Sequence, residues 1–266
     1  CETCGFKHVT PLPSDEELAK LYEEEFYTTT KPNYFAHVEE DKEWWNMHFT
    51  MRLEILEHHA PGKKILDIGS GPGYFLECAK RCGWDGVGFE PSPQAANYSR
   101  KLGVQVVNDF FTYEKALPYG PFDVIYLETV LEHVPYPIQF LTDIRKLLSP
   151  GGLVSIVSPN DYNPFQILLK NQLGFKPWWV APPQHLNYFN FDSIKKLLVR
   201  LGWSVTECLG TIPMELFLLS GDNYIGNDPL GRACHAKRKQ LEKNLFAHWK
   251  NELMRFYQTL PSHGIG

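Results

Sequence analysis

Apolar and polar positions alternate along this chain in three regimes. Up to about residue 60 the spacing is helical. Ser14-Asp15-Glu16-Glu17 fits a capping box, after which Leu18, Leu21 and Tyr22 supply one apolar face. A second helix is predicted from near Asp41, with Trp45, Phe49, Arg52, Leu53 and Leu56 along one side, and Pro61-Gly62 ends it. From Lys63 to about Gly210, short apolar runs trade places with amphipathic stretches. The predicted strands are Lys64–Ile68, Gly86–Glu90, Val104–Val107, Phe122–Leu127 and Leu153–Val157; helix-like segments at Phe75–Cys82, Pro93–Leu102 and Ile138–Leu148 lie between most of them. Buried runs separated by helices imply parallel strands joined by right-handed crossovers, a doubly wound α/β sheet. A helix at Phe191–Leu201 precedes Trp203–Leu209 and Pro213–Leu219, which read as an antiparallel pair closing the sheet. From about Asp228 a long charged helix is predicted, with Leu241, Leu245, Trp249, Leu253 and Phe256 at helical spacing. That face either packs on its own domain or makes a homodimer contact. The zones are therefore an N-terminal helical cap (1–60), a sheet domain (61–220) and a C-terminal helical extension (221–266).

Composition narrows the partners. The 266 residues carry a net charge of -5, which offers no long-range attraction for phosphate backbones, so nucleic acid is a poor acceptor. No apolar run reaches the roughly 18 residues of a membrane span. The first residues show no charged-then-apolar leader, and six Cys in this length do not suit a disulfide scaffold, so a reducing cytoplasm is expected. The sequence opens on Cys1 rather than Met, which fits a trimmed N-terminus.

The most informative segment is Lys64-Ile65-Leu66-Asp67-Ile68-Gly69-Ser70-Gly71-Pro72-Gly73-Tyr74-Phe75. A strand runs into a turn with Gly at alternate positions, and a helix follows. Gly permits backbone angles and a close approach that a Cβ forbids, so a ligand can lie against the main chain beside a helix N-terminus. The spacing G-x-G-x-G differs from the dinucleotide G-x-G-x-x-G and from the phosphate loop ending in Gly-Lys-Ser/Thr. Asp67 at the strand end would repel a pyrophosphate and attract an amino group or another positive centre. Glu90 ends the next strand 23 residues later, where doubly wound folds place the acid that grips ribose hydroxyls. Asn108-Asp109-Phe110 ends the third strand and offers an acceptor for an exocyclic amine and a ring to stack on. Amino acid, ribose and purine amine together describe S-adenosylmethionine.

As a set, Asp67–Gly73, Glu90, Asp109 and the Phe122–His133 segment resemble the motif series of class I S-adenosylmethionine methyltransferases, over roughly residues 60 to 220. The resemblance implies a Rossmann-like sheet of seven strands with the last antiparallel, and S-adenosylhomocysteine as product. It assigns Asp67 and the Gly69, Ser70, Gly71, Gly73 turn to the methionine portion, Glu90 to the ribose and Asp109 to the adenine amine. Glu128 and Thr129 would lie near the sulfonium, and Phe75, Pro91 and Phe110 complete the donor site. A loop brace at Asp67 and a turn cap at Asp109 are the plain alternatives.

Methyl transfer from a sulfonium needs a positioned acceptor and, for a hydroxyl, an acidic carbon or a protonated amine, a base; no metal is required. His133, in Glu132-His133-Val134 after the fourth strand, is either a base or structural. His185, in Pro182-Pro183-Gln184-His185-Leu186-Asn187-Tyr188-Phe189, follows Trp178 and Trp179 and is either substrate-facing or a loop brace, with Tyr188 as a weaker partner. An imidazole with an ordinary pKa of about 6.5 suits proton abstraction near neutral pH. Tyr27, Tyr34 and Trp45 either form a lid over the donor or pack the core. Cys78 and Cys82 are expected to pack inward. Cys1-Glu2-Thr3-Cys4-Gly5-Phe6 is half of a zinc knuckle with no second close pair to complete it. With the Pro-Ser-x-Glu-Glu-Leu that follows, it is similar to bacterial methyltransferases acting on sugars and secondary metabolites, some of which carry a full zinc module. The leading expectation is a small-molecule methyltransferase acting on a sugar, glycan precursor or secondary metabolite. A nicotinamide-dependent oxidoreductase and a non-enzymatic binding module with a vestigial donor site are the alternatives.

Overall fold

The computed structural model describes residues 1–2 and 4–266; Thr3, inside the Cys-x-x-Cys motif, lies outside the described residues. The chain divides into two compact units, one of residues 11–158 and one joining 1–10 to 159–266. This division cuts across the three zones read from the sequence. Lys7–His8 pairs antiparallel with Asn187–Tyr188, which ties the first residues to the C-terminal part of the chain.

In residues 11–158, five strands form one parallel sheet: β1 (Lys64–Ile68), β2 (Asp85–Phe89), β3 (Gln105–Val107), β4 (Phe122–Glu128) and β5 (Leu148–Val157), in the order β3-β2-β1-β4-β5. All five predicted strands are present within a few residues of their expected bounds. In the two central strands, β1 and β4, the residues are apolar on both faces and shielded from water: Ile65, Leu66, Val124, Ile125 and Leu127 have no exposed surface. The strand order reverses between β1 and β4, and at such a switch point the carboxyl ends of the two strands border an open crevice.

Four helices precede or link the first strands: α1 (Asp15–Lys20), α2 (Tyr34–Glu40), α3 (Lys42–His59) and α4 (Tyr74–Arg81). Ser14 caps α1 as expected, its hydroxyl accepting the Glu17 amide while the Glu17 carboxylate accepts the Ser14 amide. Leu21–Thr30 then continues as a π-helix, closed by the Lys31 amide donating to the Phe26 carbonyl, a five-residue reach at 2.8 Å. Phe49, Leu53 and Leu56 of α3 meet Phe75, Leu76, Cys78 and Ala79 of α4 in the core, with Trp45 and Cys82 packed at its edge. The helix α5 (Pro93–Lys101) follows β2, capped by Ser92.

The sheet has five strands, not seven. In the unit of residues 1–10 and 159–266, the expected pair Trp203–Leu209 and Pro213–Leu219 is not formed. Residues 204–208 are all exposed and make no strand, and the Gly210 amide donates to the Tyr257 carbonyl at 3.0 Å instead of to a sheet partner. Glu215–Leu219 is a short helix. The predicted helix at Phe191–Leu201 is present as Phe191–Arg200. The long C-terminal helix runs Asp228–Thr259 and breaks at Trp249 (φ −142°, ψ 46°). The predicted apolar stripe is not one buried face: Leu253 is buried, whereas Leu241, Trp249 and Phe256 are exposed. Among the described residues, no helix is long and apolar enough to cross a membrane.

Candidate functional site

The carboxyl end of β1 is a turn held from three directions. The Gly69 and Ser70 amides both donate to the Phe89 carbonyl of β2, at 2.8 and 3.1 Å. Ser99 of α5 donates its hydroxyl to the Gly71 carbonyl at 2.9 Å. The Gly71 amide donates to a carboxylate oxygen of Glu90 at 2.8 Å. Three glycines are demanded by this geometry. Gly69 has φ +70° with a Cβ there falling 2.8 Å from Val130 Cγ2, Gly71 has φ +52°, and Gly73 has φ +83° with a Cβ there falling 2.7 Å from the Ser99 hydroxyl.

Three carboxylates surround the turn, and their partners differ. Glu90 accepts from Gly71 with one oxygen and from the Ser92 amide with the other at 2.9 Å. Each oxygen keeps a lone pair for a further donor. Burial pushes its pKa up to about 7 against these two amide bonds. Glu128, at the end of β4, is paired with Arg52 of α3 and accepts from the Tyr126 hydroxyl at 3.0 Å. Arg52 also donates to that hydroxyl at 2.7 Å. Asp67 is only 3% exposed. Burial first, and then the charges of Glu128 and Glu90, hold its pKa well above the ordinary value. A carboxylate buried beside two others is unfavourable as an anion unless a positive centre or hydrogen-bond donors reach it. The residues present therefore fit a ligand bringing a positive centre and several N–H or O–H donors, which are the features of S-adenosylmethionine.

The N-terminal π-helix reaches this site. The Tyr27 hydroxyl lies 3.4 Å from where a Cβ on Gly71 would stand, and Tyr27 packs edge-on against Tyr34 with ring centroids 5.2 Å apart. Burial, then the Glu128 and Glu90 charges, push the Tyr34 phenol up to about 12. Of the three aromatics expected either as a lid or in the core, Tyr27 and Tyr34 thus stand at the acidic site, while Trp45 stacks on Phe49 in the core at 5.8 Å.

Other expected donor contacts are placed as follows. Ser70 is buried with no partner for its hydroxyl. Thr129 has φ +52° and donates its hydroxyl to the Glu128 carbonyl at 2.7 Å. The Pro91 carbonyl accepts from Asn108 at 2.9 Å, and Phe110 is half-buried. Asp109 is engaged locally: it accepts the Phe110 amide at 2.8 Å and Lys115 Nζ at 2.7 Å. Phe75 turns inward and stacks on Tyr126 with centroids 3.7 Å apart and planes 9° from parallel, so it braces β4 from within the core.

The histidines fall in different units. His133 lies in residues 11–158, with Nδ1 2.9 Å from the Tyr22 hydroxyl; the neighbouring Glu132 is fully buried and accepts from Ser158 at 3.1 Å. His185 and Tyr188 lie in the other unit, their ring centroids 6.3 Å apart, and the Tyr188 hydroxyl accepts the Ala181 amide at 3.2 Å. Tyr162 stands beside them, edge-on to Trp179 at 5.5 Å and to Tyr188 at 6.2 Å. In the first residues, ligand atoms of Cys1, Cys4 and His8 converge within 4.8 Å; the sequence pattern singles out only the two cysteines of this group.

Sequence reasoning also missed Arg52, Ser99 and Asp161. Arg52 was read only as one member of a helix face, and nothing local marks Ser99. Asp161 stands out only because its side chain is buried without a donor.

A family model described as a methyltransferase domain matches residues 43–208. Among curated proteins, the chain is 33% identical over 130 residues to a ubiquinone biosynthesis O-methyltransferase of Caulobacter sp. (strain K31), covering 47% of this chain and 52% of that one. It is 35% identical over 96 residues to an uncharacterized methyltransferase of Mycobacterium sp. (strain KMS), covering 35% and 37%. The chain spans about half the length of the first curated relatives it matches. Among solved structures, it resembles the plantazolicin methyltransferase BpumL in complex with SAH, with a TM-score of 0.52, 18% identity, and coverage of 82% of this chain and 89% of that one. The plantazolicin methyltransferase BamL gives a TM-score of 0.51 at 16% identity, covering 82% and 87%. At these identities the two structures speak for the fold alone.

Proposed function

We propose an acceptor and a set of donor contacts from one premise: the chain belongs to the methyltransferase-domain family and is an S-adenosylmethionine-dependent methyltransferase. The acceptor is a small molecule, of the sugar, glycan-precursor or secondary-metabolite kind. The chain's negative charge and the aromatic loop at Trp178, Trp179 and Tyr188 support this reading over a nucleic-acid substrate.

When bound, the cofactor supplies a methyl group already activated on a sulfonium. The protein's own residues then bind and position it. Asp67 and the Gly69–Gly73 turn bind the amino-acid portion, the turn by close main-chain approach and Asp67 by charge. Glu90 accepts from the ribose hydroxyls through the lone pairs its two amide bonds leave over. Glu128, oriented by Arg52 and Tyr126, sets negative potential beside the cationic centre, and Tyr27 and Tyr34 exclude water. Asp109 takes the adenine amine only by sharing its carboxylate with Lys115.

The observation that carries the donor reading is the buried Asp67 carboxylate beside Glu90 and Glu128 at a main-chain turn. A pyrophosphate placed there would meet three carboxylates, which disfavours the nicotinamide alternative. Equilibrium titration with S-adenosylhomocysteine, set against NAD and NADP, is the test. Saturable binding of the first alone is expected; binding of a dinucleotide instead would overturn the reading. Turnover of labelled donor with candidate sugars and phenols separates an enzyme from a binding module.

A further inference from the structure

The geometry points to Asp161 and Trp179 as the hydroxyl-recognition pair of an acceptor site lying wholly within the unit of residues 1–10 and 159–266, walled by Tyr162 and Tyr188. This deepens the proposed function and rests on it, since it names the chemistry of the acceptor.

Asp161 lies four residues beyond Val157, the last residue of β5. Its residue surface is 3% exposed, and among the described residues its Oδ2 accepts no hydrogen bond. Trp179 is 7% exposed, and its indole N–H donates to none of the described residues. The two are linked through Tyr162, which follows Asp161 in the chain and meets the Trp179 ring edge-on. Tyr162 itself holds φ +55°, a left-handed conformation that a bulky side chain rarely adopts.

The neighbouring acid shows what the fold does with a carboxylate it uses for itself. Glu215 is also buried, and it accepts from Asn163 Nδ2 at 3.1 Å and from Gln166 Nε2 at 2.9 Å. Asp161 stands near enough to feel the charge of Glu215, yet lacks such donors; burial and that charge together raise its pKa to about 7. One unit thus presents an orphaned acceptor and an orphaned donor beside two aromatic rings.

A hydroxyl group satisfies both, donating to Asp161 Oδ2 and accepting from Trp179 Nε1. An ammonium has no acceptor for the indole N–H. A carboxylate or phosphate would be repelled by Asp161 and Glu215. Apolar surface next to the hydroxyl would lie against Tyr162 and Tyr188. The shared chemistry is therefore a neutral hydroxyl beside an apolar face, which either a phenol or a sugar carries.

The test uses the full chain with Asp161→Asn and Trp179→Phe. S-adenosylhomocysteine titration comes first, and its affinity is expected to stay within about twofold in both variants, because the donor turn is untouched. Failure of the wild-type protein to bind it would sink the methyltransferase reading itself. Saturation-transfer NMR then uses catechol and methyl β-D-glucopyranoside as probes. One of the two is expected to bind the wild type and to weaken about tenfold in each variant, the scale of one lost hydrogen bond. Catechol binding would assign an aromatic hydroxyl, and glucoside binding a sugar hydroxyl. Binding of neither probe, or unchanged binding in both variants, overturns the proposal. Thermal melts at mildly alkaline pH guard against misfolding. Asp161→Asn should melt at or above the wild type, since an unsatisfied charge is removed. A lower melting temperature together with lost probe binding would make Asp161 a structural residue and overturn the pairing.

Discussion

The carboxylate of Glu90 accepts the amide of Gly71 at 2.8 Å, fastening the acid at the end of the second strand to the turn at the end of the first. Two motifs that stand 19 residues apart in sequence are therefore one object. The bond orients the Glu90 carboxylate before any ligand arrives, so its remaining lone pairs are already positioned.

Glu90→Ala is accordingly expected to weaken S-adenosylhomocysteine binding by about 1–3 kcal/mol, the range for hydrogen bonds to a charged group. Isothermal titration reads this directly. Unchanged affinity would remove Glu90 from the ribose role. Glu90→Gln, which keeps an acceptor oxygen, should lose less than the Ala variant.

Donor binding should also release protons. In the free protein burial raises Glu90 from 4.5 to about 7, so that carboxyl is partly protonated near neutrality, and burial raises Asp67 as well. A cationic ligand with N–H and O–H donors favours the ionised forms, so affinity should increase as pH rises through about 7. The free protein should show the opposite trend. A raised carboxyl pKa gives stability that is complete below the unfolded value of 4.5 and is lost as pH climbs toward about 7. Calorimetry in two buffers of different ionisation enthalpy counts the protons; a buffer-independent heat would contradict the prediction.

These carboxylates were legible in the sequence because each sits at the end of a short apolar run, and both the run and the glycine turn are local signals. Ile65-Leu66 and Val124-Ile125 announce buried strands whatever surrounds them. What was not legible is set by distant partners. Trp203, Val205 and Leu209 fall on one side of an extended segment, but a strand needs an edge to pair with, and residues 204–208 stay exposed while Gly210, just after them, bonds Tyr257. The Leu241–Phe256 stripe looked continuous because periodicity cannot report the break at Trp249. Ser99 and Arg52 gain meaning only from Gly71 and Glu128, neither of which lies near them in the chain.

Arg52 offers a test of that last relationship. Its guanidinium neutralises Glu128 and bonds Tyr126, with both charged side chains about four-fifths buried. Arg52→Met leaves the carboxylate without its cation, beside Asp67 and Glu90. A loss of about 2–3 kcal/mol is expected in urea denaturation of the free protein. Adding Glu128→Gln should restore part of it, giving a non-additive double-mutant cycle. Additive losses would mean that the pair is not coupled.

His185 is the last candidate to separate. Its backbone amide donates to the Ala181 carbonyl at 3.0 Å, and its ring neighbours Tyr188, whose hydroxyl takes the Ala181 amide, so the loop is closed partly by main-chain bonds that a side-chain change leaves intact. His185→Ala should therefore fold. If the imidazole faces the acceptor, turnover should drop by roughly 100-fold or more, the scale of a lost general base. Affinity for S-adenosylhomocysteine should stay nearly unchanged. If the ring only braces the loop, the melting temperature and the Michaelis constant for the acceptor should shift while kcat stays near the wild-type value. Steady-state kinetics beside a thermal melt distinguishes the two, and equal loss of donor affinity and turnover would count against the base.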